Sequence, residues 1–92
     1  MSTDDIIHAL DRGEIRVAER SGDDWVVNEE AKAAILDYFR ERRMEPIELG
    51  PFEYHDKIPL KHDYATLGVR VVPPAVARYG SFLSAGVVMM PS

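Results

Sequence analysis

Arg70 is a residue whose side-chain chemistry would suit the binding of a carboxylate. It stands in the otherwise apolar run of residues 69–72, which Pro73 and Pro74 close. A guanidinium group stays charged and offers a rigid fork of donors, so it forms charge-assisted bidentate hydrogen bonds to a carboxylate that lysine cannot reproduce. The pattern alone favours a different interpretation, an arginine on an edge strand whose side chain points to solvent. Both interpretations stay open at this point.

The other candidates for chemistry match no catalytic or metal-binding motif. His8, His55 and His62 lie among charged neighbours, and their spacing fits no local set of metal ligands, so we predict surface histidines. Asp56 and Lys57 are predicted to form a loop ion pair of small energetic value rather than a catalytic couple. We therefore predict no catalytic or metal-binding role for these residues.

The composition is that of a small acidic domain without cysteine. A chain of 92 residues can bury one modest core. The absence of cysteine excludes disulfides and thiolate metal sites. A formal net charge of −5 disfavours general binding to nucleic acid or to anionic membranes. Because the sequence has neither a membrane-length apolar run nor a signal peptide, we expect a cytoplasmic protein that does not contact membranes.

Local signals predict a helix and a hairpin in the first part of the chain. Ser2 or Thr3 caps a first helix, and Gly13 ends it. Residues 14–20 alternate between apolar and polar side chains, and residues 25–27 are apolar and β-prone. Turn residues separate the two runs, so we predict that they pair as a β-hairpin.

A second helix is predicted over residues 28–43, with Asn28 as its N-cap. Its helical spacing produces one continuous apolar face, made of Ala31, Ala34, Ile35, Tyr38 and Phe39. We expect this face to form the core by packing on the hairpin through Ile15, Val17 and Trp25.

Pro46, Gly50 and Pro51 predict a loop after this helix, because two prolines and a glycine cannot continue it. Residues 52–61 predict an extended and irregular segment.

The last segment of the chain repeats with a period of six. Large apolar residues recur at Val76, Phe82 and Val88, and small residues at Gly80, Gly86 and Ser92. This period fits neither a helix nor a simple strand, but it is typical of a hexapeptide-repeat parallel β-helix, in which each flat side takes one hexad. An apolar strand interrupted by glycines fits the same residues.

Four segments resemble, in order, the N-terminal portion of tetrahydrodipicolinate N-succinyltransferases, the succinyl-CoA-dependent enzymes of lysine and diaminopimelate biosynthesis. They are LDRGEIRVAER at residues 10–20, WV at 25–26, HDKIPLK at 55–61, and GVRVVPPA at 68–75 with the residues that follow it. The matches span nearly all of the chain. The resemblance therefore implies the N-terminal portion of a longer enzyme whose further coils follow.

This resemblance implies an α/β (α+β) fold, with residues 1–72 as a small helix and hairpin domain and residues 73–92 as the start of a left-handed parallel β-helix. It implies that Arg70 binds a carboxylate of the cyclic dicarboxylate substrate. In the family, the catalytic acids and the coenzyme A groove come from later coils, so no catalytic, cofactor-binding or metal-binding residue is expected here. Succinyl-CoA is expected as a co-substrate rather than a resident cofactor, and the full-length enzyme as a homotrimer.

Two functions remain as alternatives. The first is the N-terminal portion of an acyltransferase, inactive on its own, and the second is a self-contained, non-catalytic α/β binding or interaction domain. The hexads favour the first, because a solenoid needs about three stacked repeats to be stable. We also expect residues 76–92 to keep their backbone edge and apolar face exposed, to fray, or to cover them with another chain.

Overall fold

Helices and short two-stranded sheets alternate along the chain in the computed structural model, which describes residues 1–91. In chain order the elements are α1 (Thr3–Arg12), β1 (Ala18–Ser21), β2 (Asp24–Val27), α2 (Glu29–Glu41), β3 (Glu45–Leu49), β4 (Phe52–Asp56), α3 (Tyr64–Leu67), β5 (Arg70–Val71) and β6 (Val88–Met89). This arrangement confirms the α+β class. The hexad position predicted at Ser92 lies outside the described residues.

Helix α1 begins and ends where the sequence predicts. The Ser2 hydroxyl accepts a hydrogen bond from the backbone N–H of Asp5, and the Asp5 carboxylate accepts one from the backbone N–H of Ser2, each at 3.2 Å. This reciprocal pair is a capping box, which satisfies two backbone donors that the helix leaves free. Gly13 ends the helix at φ 77, a left-handed conformation that glycine adopts without steric cost.

Helix α2 packs on α1, and the two helices form the core. Asn28 caps α2 by accepting from the N–H of Ala31 at 3.0 Å, as predicted, but the helix ends at Glu41 rather than at residue 43. The main buried cluster consists of Ile6, Ile7, Leu10, Ala31, Ala34, Tyr38 and Ile58. The partner of the predicted apolar face is therefore α1, which leaves the first hairpin outside the core.

The first hairpin is present but shorter and more exposed than predicted. Strand β1 starts at Ala18 rather than at residue 14, and it pairs antiparallel with β2. The Trp25 side chain is 64% exposed, and only Ile15 of the three expected hairpin contacts packs at the edge of the core. The prediction of a hairpin-based core was wrong because α1 presents a closer apolar face. Phe39 lies at the margin of that contact and is 40% exposed.

Residues 45–56 form a second hairpin, in which β3 replaces the predicted loop and β4 lies in the segment that was predicted to be extended. Strands β3 and β4 pair antiparallel from Glu45 opposite Asp56 to Leu49 opposite Phe52, with Gly50 in the turn at φ 59. Both strands of an isolated hairpin are edge strands, and an edge strand tolerates the missing N–H of a proline such as Pro46.

The C-terminal segment returns to the strand from which it started. Strand β5 pairs in parallel with β6, and Arg70 lies opposite Val88, so the paired residues are separated by three hexads of sequence. The backbone N–H of Gly86 also donates to the carbonyl of Gly68 at 2.8 Å. The chain between them forms one turn of coil, which we call the first coil (residues 70–89). The peptide bond between Pro73 and Pro74 within it is cis.

The large apolar residues of the hexads are only half covered. Val76, Phe82 and Val88 are 46, 47 and 51% exposed, respectively. This exposure agrees with the expectation that the segment presents an apolar face. Separately, no helix within residues 1–91 is long and apolar enough to cross a membrane.

Candidate functional site

Arg70 lies in the short strand β5, where the backbone is fixed and the side chain is exposed. Its backbone N–H donates to the carbonyl of Val87, and the N–H of Val72 donates to that of Met89, each at 3.0 Å. Val69 is buried and Arg70 exposed, so the strand directs its arginine away from the protein interior. Within residues 1–91 the Arg70 guanidinium forms no ion pair. It is therefore presented to solvent, where it can meet an anionic ligand.

A buried ion pair that the sequence analysis missed joins Asp11 of α1 to Lys61, and the same carboxylate also binds the first coil. The Asp11 Oδ1 atom accepts hydrogen bonds from Lys61 Nζ at 2.6 Å and from the backbone N–H of Gly80 at 3.0 Å. Lys61 Nζ donates a further hydrogen bond to the backbone carbonyl of Asp11 at 3.1 Å. Asp11 and Lys61 both fall inside segments quoted for the family resemblance, but their sequence separation gave no sign that they meet.

The backbone adds a second connection at the same place. Leu60 forms an antiparallel bridge with Arg78, the N–H of Lys61 donates to the carbonyl of Ala77 at 3.0 Å, and the N–H of Tyr79 donates to that of Pro59 at 2.8 Å. Residues 59–61 thus run alongside residues 77–79. The first coil is thus held at two places. Residues 59–61 hold its residues 77–79, and the pairing of β5 with β6 holds its two ends together.

Asp56 and Lys57 bind other partners rather than each other, so the predicted loop ion pair was wrong. Asp56 Oδ2 lies 2.9 Å from Arg78 Nη2, and Lys57 Nζ donates to the carbonyl of Phe39 at 3.0 Å, where α2 ends. The backbone N–H of Lys57 lowers the pKa of Asp56, and the nearby Arg78 lowers it further. The tertiary fold brings Arg78 to Asp56 because residues 77–79 run beside the chain that follows β4.

The histidines are exposed, as predicted, but one of them has a specific partner. His8 Nδ1 lies 2.7 Å from the hydroxyl of Tyr79, and the two rings are stacked. Burial raises the pKa of Tyr79 above its ordinary value. No group of three or more His, Cys, Asp or Glu side chains in the described part of the chain is placed to hold a metal ion. The His8 contact joins α1 to the first coil a second time.

A groove of about 380 Å³ separates the end of α1 from the far corner of the first coil. The residues that line it include Arg16, Ser81 and Ser84. The Phe82 ring also lines the groove and lies so close to Gly13 that a Cβ atom there would be 2.6 Å from the ring. No acid–base pair or nucleophile with an activating base stands out among these lining residues.

Comparison with known proteins identifies relatives along almost the whole chain. Residues 2–40 match the family model for the N-terminal part of tetrahydrodipicolinate N-succinyltransferase. A protein from Cupriavidus taiwanensis, named 2,3,4,5-tetrahydropyridine-2,6-dicarboxylate N-succinyltransferase, is 47% identical over 95% of this chain and 34% of its own length.

Proteins with the same name from two other bacteria match to a similar degree. The Psychrobacter protein is 45% identical over 95% of this chain, and the Paraburkholderia phytofirmans protein is 46% identical over 94% of it. The chain spans about a third of the length of each of these relatives. Over nearly all of its length, this chain is thus similar to the N-terminal portion of the tetrahydrodipicolinate N-succinyltransferases, as its sequence motifs predicted.

Proposed function

We propose that this chain is the N-terminal part of an acyltransferase that transfers a succinyl group from succinyl-CoA to the amine of tetrahydrodipicolinate, a reaction of lysine and diaminopimelate biosynthesis. The observation that carries the proposal is the 47% identity to a named N-succinyltransferase along 95% of the chain. The described residues supply part of a substrate site, and later residues are expected to supply the catalytic groups and the coenzyme A groove.

We further propose that the first coil begins a left-handed parallel β-helix and that residues 1–72 form the preceding domain. The support is the register of β5 on β6, because a return after three hexads fits a triangular coil with one hexad on each side. Stacked coils of this kind would cover the exposed side chains of Val76, Phe82 and Val88. A homotrimer, in which the cleft lies between neighbouring β-helices, is the assembly that the resemblance implies.

In this enzyme Arg70 would bind a carboxylate of the dicarboxylate substrate. Its exposed side chain has no ion-pair partner within residues 1–91, and its strand is held by the hydrogen bonds from Arg70 to Val87 and from Val72 to Met89. A fixed backbone and a free guanidinium suit a group that selects a planar anion by bidentate hydrogen bonds.

A chimera tests the proposal. The 92 residues replace the corresponding third of the Cupriavidus taiwanensis relative, and release of free coenzyme A thiol is followed with tetrahydrodipicolinate and succinyl-CoA. We expect turnover close to that of the relative. A chimera that folds and assembles like the relative but shows no turnover would contradict the proposal and favour the non-catalytic binding domain.

The same chimera tests Arg70. Arg70→Lys should weaken binding of the substrate analogue 2-aminopimelate by about 1.5–3 kcal/mol, the usual value of a hydrogen bond to a charged group, and leave succinyl-CoA binding unchanged. Arg43→Lys, at an exposed arginine just beyond α2, is the matched control. Titration calorimetry with both ligands separates the cases. Equal losses for both ligands would indicate that Arg70 supports the fold, and no loss for either would leave it a solvent-exposed arginine.

A further inference from the structure

We infer that Asp11 and Lys61 form a latch that sets the position of the first coil, and with it the backbone of Arg70, relative to the helix pair. The latch is the Asp11 carboxylate together with the two groups that donate to its Oδ1 atom, Lys61 Nζ and the Gly80 N–H. Asp11 and Lys61 are positioning residues. Within residues 1–91, no hydrogen bond or ion pair joins either of them to Arg70. This inference concerns the coil and does not depend on the succinyl-transfer reaction.

Burial distinguishes the ion pair of Asp11 and Lys61 from the ion pairs at the surface. The Lys61 side chain is 3% exposed and that of Asp11 is 17% exposed, whereas the neighbouring pair of Arg12 and Glu14 is about half exposed. A buried ammonium group is tolerated only with close partners, and Lys61 Nζ has two of them on the same residue.

The energetics of buried ion pairs point to positioning rather than to simple stabilisation. Replacing such a pair with apolar side chains of similar size often leaves stability unchanged or improves it, because desolvation offsets the attraction. The property that apolar replacements cannot reproduce is the hydrogen bond that the Gly80 N–H donates to the Asp11 carboxylate. That bond fixes a corner of the coil, where Gly80 has φ 101.

The coil needs such a fixed corner because its own pairing is short. Strands β5 and β6 pair over only two residues each. A ladder of this length is marginal by itself, so its register depends on how the opposite side of the coil is held. The latch at Gly80 and the run of residues 59–61 beside 77–79 hold that side. Loosening the corner should therefore loosen the amide of Arg70.

Two double variants of the full 92-residue chain isolate the hydrogen bond to the coil. Both remove the ion pair, but Asp11→Asn/Lys61→Met keeps a side-chain oxygen that accepts from Gly80, and Asp11→Leu/Lys61→Met does not. Amide hydrogen exchange is measured by NMR at Gly80, Arg70 and Val72, with the Arg42 amide at the end of α2 as the internal reference. Arg12→Gln, which breaks the exposed neighbouring ion pair, is the control variant.

We expect both double variants to melt close to the wild-type temperature. In the leucine variant, exchange at Gly80, Arg70 and Val72 should be on the order of 10-fold faster than in the asparagine variant, the effect of one net hydrogen bond, while Arg42 is unchanged.

Equal exchange rates in the two variants would overturn the inference that the latch positions the coil. Faster exchange at Gly80 alone, with Arg70 and Val72 unchanged, would also overturn it, since the corner would then not position the strand. If the leucine variant fails to fold, Asp11→Ala/Lys61→Met takes its place in the same comparison.

Discussion

At the scale of single residues, burial separates the ion pairs of residues 1–91 into two kinds. Three of them lie at the surface, namely Arg12 with Glu14, Arg40 with Asp37, and Arg78 with Asp56. Exposed pairs of this kind contribute little to stability, because water screens them and the side chains lose freedom. The pair of Lys61 with Asp11 is buried and joins segments that are distant in the sequence, so it fixes how these segments pack.

Asp56 should make the stability of the chain dependent on acid. Its pKa is lowered in the folded protein, chiefly by the backbone N–H of Lys57 and also by Arg78. A lowered folded pKa means that the stabilisation is present above the ordinary value of 3.8 and is lost as the pH falls through the folded pKa. We therefore expect a smaller loss of melting temperature on acidification, in the range below about pH 4, for Asp56→Asn than for wild type.

Melting curves recorded by circular dichroism at successive pH values check this expectation. Arg78→Gln removes the contribution of Arg78 and keeps the hydrogen bonds from the Lys57 and Ile58 N–H groups, so its slope should lie between those of wild type and Asp56→Asn. Identical slopes for all three proteins would show that Asp56 does not couple protonation to folding.

At the scale of secondary-structure elements, the helix pair carries the core, and the two hairpins project from it. Buried positions of α1 and α2 interdigitate, whereas the residues of β2 are all exposed. Substitutions on the helix contact should therefore cost much more stability than substitutions on the hairpins or on the outer edge of α2.

Ile7→Ala and Phe39→Ala test this distribution of the core. Ile7 is 3% exposed and sits in the main cluster, so its truncation should cost about 2–5 kcal/mol. Phe39 is 40% exposed, so its truncation should cost no more than about 1.5 kcal/mol, well below the cost of truncating a buried phenylalanine. Leu36→Ala, at a residue 56% exposed, is the surface control. Urea denaturation gives the free energy of unfolding of each variant. A larger loss for Phe39→Ala than for Ile7→Ala would indicate that the core forms between α2 and the hairpin instead.

Gly13→Ala tests the contact between the end of α1 and the first coil. An alanine at this left-handed position costs about 1–2 kcal/mol from its backbone alone. Its Cβ atom would also displace the Phe82 ring, which adds about 1–3 kcal/mol of overpacking. Gly22→Ala is the matched control, because its φ is also positive and nothing lies near its Cβ. The difference between their unfolding free energies measures the ring contact, and equal values would mean that Phe82 moves away freely.

At the scale of the whole molecule, several contacts join the first coil to the helix pair. They are the latch, the strand-like run of residues 59–61, the contact of Phe82 with Gly13, and the hydrogen bond of His8 with Tyr79. Other apolar side chains lie in solvent, among them Val88 of the coil and Met90 just after it. The part of the fold that holds the coil is thus present in this chain, and the coil offers an apolar face for further packing.

We expect the 92-residue chain alone to show no detectable succinyl transfer. Positioning of both substrates and stabilisation of the transition state require groups that the described residues do not bring together around Arg70. The coenzyme A thiol assay with tetrahydrodipicolinate and succinyl-CoA checks this, and the chimera serves as the positive control. Turnover that stays with the 92-residue chain through repurification would contradict the proposed division of the enzyme.

The sequence by itself determined the features that depend on neighbours a few residues away. Ser2, Asn28 and Gly13 set helix boundaries through local hydrogen bonds and backbone conformation, so they were predicted correctly. The period of six predicted a repeating coil, of which the structure shows one return, that of β6 beside β5. The motifs resembled the tetrahydrodipicolinate N-succinyltransferases, and the comparisons then found this similarity along the chain. Each of these signals lies within a short stretch of chain and does not need the rest of the fold.

Only the tertiary structure decided which distant surfaces meet. The apolar face of α2 is visible in the sequence, but its pattern is the same whether the partner is α1 or a hairpin, so the partner was predicted wrongly. Asp11, Lys61 and Gly80 carry no periodic signal, because a buried ion pair depends on a place in space rather than on spacing along the chain. The same reason explains why Asp56 was assigned to its neighbour Lys57, whereas folding brings it to Arg78.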